Sequence, residues 1–166
     1  MRRLRLSQGR YAFVDDRLYQ KLRQYTWYEV KRERTSYAAH CYGTLKKHHV
    51  IYMHQMIYDL LGRRRPVSID HRDGNGLNNQ SGNLRNATKR QQQFNRRGWQ
   101  RSTSGYIGVN FDKRTGRWLA RIRINGRCKN LGRYDTETQA AEVRDRYARK
   151  HYGRFARLNF PQALAA

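Results

Sequence analysis

The stretch Val67-Ser-Ile-Asp-His-Arg-Asp-Gly-Asn-Gly-Leu-Asn-Asn79 determines how the middle of this chain is organised. It begins with the short run Val67–His71, which predicts a strand that ends in an acid and a histidine. Asp73-Gly-Asn-Gly76 follows with residues typical of tight turns, and Asn83-Leu-Arg85 lies shortly beyond. A polar helical stretch over residues 91–95 completes a predicted strand, loop and helix.

Asp70 and His71 are residue types that can hydrolyse a phosphodiester together. A carboxylate can hold a divalent ion, and a neutral imidazole beside it can take a proton from water. Neighbouring residues on a strand point to opposite faces, but at the end of a strand both side chains can border one site. An isolated Asp-His pair is also an ordinary exit from a strand. The specific signal is the pair followed by the Asn-rich and Gly-rich loop and by Asn83.

The residues before this stretch alternate short strand-like runs with helical ones. Tyr11–Val14 predicts a strand, and the spacing of Leu18, Leu22 and Tyr25 predicts an amphipathic helix. Residues 37–42 and 48–52 predict two strands, and a second helix is predicted from residue 53 to its end at Gly62. This part of the chain is therefore expected to be a small β-rich segment that leads into a helix.

The last third of the chain has a different plan. Alternating apolar residues predict three strands, separated by the turn pairs Thr115-Gly116 and Asn125-Gly126. Thr136 and Gln139 form a capping box that opens a helix, and Gly153 is expected to end it. Three antiparallel strands with a helix across them make an α+β module.

Composition indicates a polyanionic partner. The 166 residues include 36 Lys and Arg against 12 Asp and Glu, a net charge of +24. Ribosomal proteins and membrane-surface binders are also this basic, but nucleic acid is the partner we favour. Cys41 and Cys128 are too few for a disulfide framework or a four-cysteine zinc site. Without an apolar run of about 18 residues or a signal-like start, we expect a cytoplasmic protein with no membrane partner.

The middle of the chain resembles the HNH endonuclease domain of the homing-endonuclease type. The matching residues are Met53-His54-Gln55, Ile69-Asp70-His71, Asp73-Gly-Asn75, Leu77-Asn-Asn79, Asn83-Leu-Arg85, Ala87-Thr88 and the helix to Asn95-Arg96. The resemblance implies a ββα-metal (His-Me finger) nuclease motif over residues 53–97, preceded by the β-rich segment 1–52. It also implies a source in a phage-infected or bacterial cell.

Residues 105–161, after a linker at 98–104, resemble the AP2/ERF DNA-binding domain. The matching residues are Ser104-Gly-Tyr106, Gly108-Val109, Trp118, Arg121-Ile-Arg123, Leu131-Gly132, Tyr134-Asp-Thr136, Ala140-Ala141, Gly153 and Leu158-Asn-Phe-Pro161. The resemblance implies that this sheet holds duplex DNA.

Site residues follow from the first resemblance. His71 is implied as the general base, Asp70 as a ligand of Mg²⁺ or Mn²⁺, and Asn83 as the asparagine that holds the loop and the histidine. The second metal ligand, usually Asn or His, falls on Gln92, and Asn95 is the alternative if the helix register differs. His54 is either a phosphate contact in catalysis or a structural histidine.

Alternation along the second predicted strand of the last third leaves three arginines on the face opposite the apolar residues. Arginines on an exposed sheet fit the DNA major groove, where they pair with guanine or contact phosphate only. Asn110 stands where the AP2 family commonly has an arginine. The predicted DNA-binding residues are Arg117, Arg121, Arg123, Asn110, Lys113, Arg114, Arg127 and Lys129.

These observations predict an HNH endonuclease that cuts duplex DNA, with a single active site that nicks one strand. The chain is expected to act as a monomer or as a dimer assembled on DNA. The alternative is a DNA-binding regulator that keeps the HNH fold without catalysis, since Gln92 departs from the family. An RNA-binding protein has no support, because no RNA-recognition motif is present.

Overall fold

The computed structural model describes residues 1–33, 35–44, 47–94 and 104–161. The chain divides into two compact units, residues 1–90 and residues 91–166. Within the described residues both units combine short antiparallel strands with helices, which confirms the α+β class. Among these residues we find no helix with the length and apolar character needed to cross a membrane.

The first unit begins with two small antiparallel sheets. Strands β1 (Arg2–Arg5) and β2 (Tyr11–Val14) form a pair, and helix α1 (Asp16–Leu22) follows it. Strands β3 (Tyr28–Lys31), β4 (Ser36–Gly43) and β5 (His48–Tyr52) form a three-stranded sheet in that order, and helix α2 (Met53–Leu60) continues directly from β5.

The unit continues with strands β6 (Ile69–His71) and β7 (Leu84–Asn86), an antiparallel pair, and with helix α3 (Lys89–Phe94), which crosses the division between the two units. The predicted strand at 67–71 is two residues shorter than expected, because Val67 is almost fully exposed. Predicted strand, loop and helix therefore occur in the expected order.

One core holds the first unit together. Leu6, Leu22, Trp27, Met53 and Ile57 are its largest buried apolar side chains. The same cluster includes Leu77 from the loop and Leu84 from β7. Residues 1–52 and residues 53–84 therefore bury their apolar side chains against one another.

Sequence patterns missed β1 and β3, since both are rich in charged residues. Each contributes a buried side chain: Leu4 in β1, and Glu29 in β3, where the carboxylate accepts a hydrogen bond from Arg10. The placement of Tyr25 in the first helix is wrong. Helix α1 ends at Leu22, and Tyr25 is exposed.

The second unit is a three-stranded antiparallel sheet with a helix. Strand β9 (Arg117–Ile124) lies between β8 (Val109–Asp112) and β10 (Arg127–Tyr134), and helix α4 (Glu137–Tyr152) contacts all three strands. Val109, Ala120, Ala140 and Ala141 form the buried core. Both residues of the turn Asn125-Gly126 have positive φ, as the type I′ hairpin requires.

The predicted ends of helix α4 are confirmed. Thr136 accepts a hydrogen bond from the backbone N–H of Gln139, whose side chain accepts one from the Thr136 backbone. Gly153 at the other end has positive φ. The helix is also tied to the C-terminal residues, because the Asp145 carboxylate accepts bonds from the backbone N–H groups of Asn159 and Phe160.

The loop between β6 and β7 in the first unit lies against the N-terminal strands. The backbone N–H of Gly76 donates to the Thr35 hydroxyl at 2.8 Å, and that of Asn79 donates to the Phe13 carbonyl at 2.7 Å. A Cβ at Gly76 would lie 2.4 Å from the Ser36 carbonyl oxygen and 2.7 Å from the Tyr37 ring. Glycine at this position therefore permits the loop to reach β4.

We expect Gly76→Ala to lower the free energy of unfolding by about 1–3 kcal/mol, because the added methyl would push the loop away from β4. Gly82→Ala in the same loop is the matched control. A Cβ there meets no atom within 4 Å, and its effect should stay within about 0.5 kcal/mol. Urea unfolding of both variants measures the difference. Equal stability of the two would contradict this account of the loop.

Candidate active site and nucleic-acid interface

Hydrogen bonds among side chains close the loop between β6 and β7. The Asp73 carboxylate accepts from the backbone N–H of Asn75 and from the side-chain amides of Asn78 and Asn83, at 2.7–3.0 Å. Asn83 also donates to the Asn78 carbonyl at 2.8 Å, and its Oδ1 accepts from the backbone N–H of Asp73. Asn83 thus holds the loop, which is one of the two tasks that the HNH resemblance implies for it.

Asn79 is fully buried, and its side chain lies within hydrogen-bond distance of the His71 ring. Its Nδ2 donates to the Gly76 carbonyl at 3.4 Å, so its Oδ1 faces the His71 Nε2 at 3.3 Å. An amide oxygen accepts and cannot donate, so Nε2 must carry the hydrogen. The lone pair of the neutral ring is then on Nδ1, the atom that can take a proton.

Burial lowers the pKa of His71, an effect that the Asn79 hydrogen bond and the carboxylates of Asp73 and Asp70 only partly oppose. A lowered pKa keeps the imidazole neutral at pH 7, as a general base requires. His71 is 5% exposed, so its ring lies in a site from which most water is excluded.

His54 lies beside His71, with ring centroids 5.3 Å apart and ring planes almost perpendicular. Tyr52 stacks on His54 at 5.5 Å, and the Tyr37 ring lies 5.8 Å from both histidines. Burial and the neighbouring His71 lower the pKa of His54 to about 3. The structure therefore brings His54 to the candidate site as a neutral ring.

Asp70 forms a buried ion pair on the same strand pair. Its Oδ2 accepts from Arg85 Nε at 2.8 Å and from Arg85 Nη2 at 2.7 Å, across the register that pairs the two residues. Each of these residues is 8% exposed. The pair holds the Asp70 carboxylate on the residue next to His71, and removing either partner would take away this buried ion pair.

The donors predicted for a divalent ion are oxygen atoms, the type that Mg²⁺ prefers. Asp70 lies in the first unit, whereas Gln92 lies on α3 beyond the division between the units. Asn95 falls outside the residues that the structure describes. Within the described ranges no cluster of three His, Cys, Asp or Glu residues suits a metal ion. Gln92 and Asn95 as ligands stay predictions.

The second unit presents one open sheet face. Arg121 and Arg123 on β9 are exposed, and Asn110 on β8 lies on the same face because it pairs with Leu119. Arg117 also lies there, in an exposed ion pair with Asp135 at 3.0 Å. Four of the predicted DNA-binding residues are thus on one surface.

The other four predicted residues lie elsewhere. Lys129 and Arg127 pair with Ile122 and Ile124, which places them on the helix side of the sheet. There the Lys129 ammonium lies 5.7 Å from the Tyr147 ring centroid. Lys113 and Arg114 are exposed in the turn between β8 and β9. The structure therefore does not gather all eight residues on one face.

Four side chains at the candidate site were not assigned to it from the sequence: Tyr37, Tyr52, Asn79 and Arg85. Asn79 and Arg85 lie in the segments that match the HNH motif, so their place in the sequence could have indicated that they belong to the site. The tyrosines come from β4 and β5: Tyr52 precedes His54 by two residues, and the pairing of β4 with β5 brings Tyr37 beside it.

Comparison with known proteins supports both resemblances. Over 90 residues the chain is 33% identical to Protein 3.8 of Escherichia phage T7, a match that covers 54% of this chain and 74% of that protein. The chain belongs to the same family as Protein 3.8. It is also 29% identical over 156 residues to the Uncharacterized HNH endonuclease L560 of Acanthamoeba polyphaga mimivirus, which covers 92% of this chain and 76% of that protein.

A 65-residue segment is 45% identical to the AP2-like ethylene-responsive transcription factor TOE2 of Arabidopsis thaliana and to APETALA2-like protein 2 of Oryza sativa. The segment is 39% of this chain but only 13% and 15% of those proteins. No family model and no solved structure matches the chain.

The pKa of His54 predicts how stability depends on pH. An unfolded histidine has a pKa near 6.5, so between pH 6.5 and about 3 the unfolded chain binds more protons than the folded chain. Stability should therefore fall as the pH is lowered through this window. His54→Phe keeps the stacked ring and should reduce the loss between pH 7 and pH 5 by about 1–2 kcal/mol.

Urea unfolding at the two pH values measures this loss. Tyr52→Phe is the control, because it changes the neighbouring ring and leaves the histidine in place. An unchanged pH dependence in His54→Phe would show that the pKa of His54 in the folded protein is the same as in the unfolded chain.

Proposed function

We propose that this chain is a DNA endonuclease of the HNH class, in which His71 is the general base. The observation that carries the proposal is the contact of the buried His71 ring, through Nε2, with Asn79 Oδ1, because a hydrogen on Nε2 makes Nδ1 the proton acceptor. The similarity to the mimiviral HNH endonuclease over 92% of the chain supports the same reaction class.

In the proposed reaction His71 Nδ1 takes a proton from water as the water oxygen attacks a DNA phosphorus. The bond from phosphorus to the 3′ oxygen breaks, and that oxygen leaves and takes a proton from solvent, to which His71 in turn releases the proton that it accepted. Asn79 and the loop closed by Asp73 and Asn83 orient the ring. His54, as a neutral ring beside it, contributes a polar edge and excludes water.

Asp70 and the amide oxygen of Gln92 or Asn95 are the proposed holders of Mg²⁺ or Mn²⁺. The donor chemistry fits, because carboxylate and amide oxygens are ligands that suit these ions. A bound ion would stabilise negative charge on the phosphate and on the leaving oxygen. The bonds from Arg85 would keep the Asp70 carboxylate in place as it holds the ion.

We further propose that the open sheet face of the second unit holds duplex DNA. Arg121 and Arg123 are exposed there, and a 65-residue segment of the chain is 45% identical to an AP2-like factor. A major groove admits β-strands, and arginine can contact either guanine or phosphate. One catalytic base in each chain predicts that a single copy nicks one strand.

The nuclease proposal is tested by incubating supercoiled plasmid and phage genomic DNA with the full chain and Mg²⁺ or Mn²⁺. We expect nicking that stops with EDTA and falls by at least about 100-fold in His71→Ala. His49→Ala, which removes a surface histidine, is the matched control and should cut normally. Tight duplex binding without cutting under either ion would instead favour the non-catalytic regulator.

The interface proposal is tested by the affinity for a duplex at fixed salt concentration. Arg121→Ala and Arg123→Ala should each weaken binding by about 5-fold or more, which corresponds to about 1–3 kcal/mol. Lys129→Ala removes the same charge from the helix side of the sheet and should weaken binding by less than about twofold. A larger loss in Lys129→Ala would place the DNA on the other side of the sheet.

A further inference from the structure

The N-terminal sheet forms one wall of the candidate active site. Tyr37 on β4 and Tyr52 on β5 lie on the same sheet face, since Tyr52 pairs with Ala39, two residues from Tyr37. Their rings are 6.0 Å apart, and both contact His54. Tyr37 also contacts His71, so this face of the sheet ends at the proposed base.

Arg32 stands at the edge of this wall, one residue after β3 ends at Lys31. Its backbone N–H donates to the Thr35 carbonyl at 3.0 Å, which fixes the turn from β3 to β4. Its Nη2 donates to the Tyr52 hydroxyl at 3.1 Å, and the Tyr52 ring stacks on His54. The guanidinium is therefore tied to the wall, although the residue itself is exposed.

The Arg32 guanidinium has the donors and the positive charge that are needed to bind an anion. A guanidinium has five N–H donors, and the bond to Tyr52 uses one of them on a neutral acceptor. In the part of the chain that the structure describes, no carboxylate forms an ion pair with Arg32, in contrast to Arg85 with Asp70 and Arg65 with Asp59. A fork of donors with uncompensated charge matches the geometry of a phosphate.

The electrostatics of Tyr37 connect Arg32 with the centre of the site. Burial and the Asp70 carboxylate raise the pKa of the Tyr37 hydroxyl, and the positive charge of Arg32 acts in the opposite direction. Asp70 and Arg32 therefore both lie within electrostatic reach of the same hydroxyl. An anion that approaches His71 along this wall would meet the charge of Arg32.

We propose that Arg32 binds a phosphate of the DNA strand next to the bond that is cut, so that the N-terminal sheet supplies a phosphate clamp to the active site. The clamp rests on the proposed nuclease function and extends it to a residue outside the HNH motif. Tyr52 is a positioning residue in this arrangement, since its hydroxyl holds the guanidinium.

The clamp is tested by single-turnover cleavage with Mg²⁺ and by duplex affinity without a divalent ion. Arg32→Ala should cut about 10- to 100-fold more slowly while its duplex affinity changes by less than about threefold. Arg32→Lys should lie between this variant and the wild type. Tyr52→Phe keeps the ring and should cut about 3- to 10-fold more slowly.

Lys31→Ala is the matched control. Lys31 is the positively charged residue next to Arg32. It pairs with Ser36, so its side chain lies on the sheet face opposite Tyr37. The Lys31→Ala variant should cut at the wild-type rate. A wild-type rate in Arg32→Ala would overturn the clamp and leave the nuclease proposal intact, because His71→Ala tests the latter separately.

A second measurement tests whether Arg32 binds phosphate, and it does not require the chain to cut DNA. Thymidine 3′,5′-bisphosphate, a fragment with two phosphates, is titrated into the full chain and followed by NMR signals of the His71 and Tyr37 rings. We expect Arg32→Ala to bind it at least about 5-fold more weakly than the wild type and Lys31→Ala to bind it equally well. Equal affinity in the wild type and Arg32→Ala would overturn the clamp.

Discussion

The contact between Asn79 and His71 is the interaction on which the candidate site depends. Asn79 is fully buried, and its backbone N–H donates to the Phe13 carbonyl on β2. Its side chain faces the histidine that ends β6. A buried amide needs partners for its polar atoms, so this residue ties the N-terminal strands, the loop and the ring into one arrangement.

The same contact gives the histidine its chemistry. Burial alone would favour a neutral ring without deciding which nitrogen is protonated. The Asn79 oxygen decides this by accepting from Nε2, so that Nδ1 is left as the acceptor. Asp70, the residue before His71, carries a carboxylate whose charge is paired with Arg85. The proposed base and the proposed metal ligand are thus neighbours on one short strand.

Much of this was predictable from the sequence, because the decisive signals are local. The acid and histidine at the end of β6, the Asn-rich turn and the capping box of α4 each depend on neighbouring residues, and the structure has all three. Strands β1 and β3 were missed because their charged residues interrupt the alternation of apolar and polar side chains. Which of their residues are buried depends on the pairing of each with a neighbouring strand.

The remaining site residues could not be predicted because they arrive through long-range packing. Tyr37 reaches His71 because Gly76 lets the loop approach β4. The two faces of the sheet in the second unit followed from alternation on β9, but the placement of Lys129 on the helix side depends on the register of β10. Local patterns identify residue types, and strand register determines where those residues meet.

The most direct test of this account is the tautomer of His71, measured by nitrogen-15 NMR of the imidazole at pH 7. We predict a neutral ring with the hydrogen on Nε2 and the lone pair on Nδ1, and loss of this preference in Asn79→Ala. A ring protonated on Nδ1, or a charged imidazolium at this pH, would contradict the assignment of His71 as the general base.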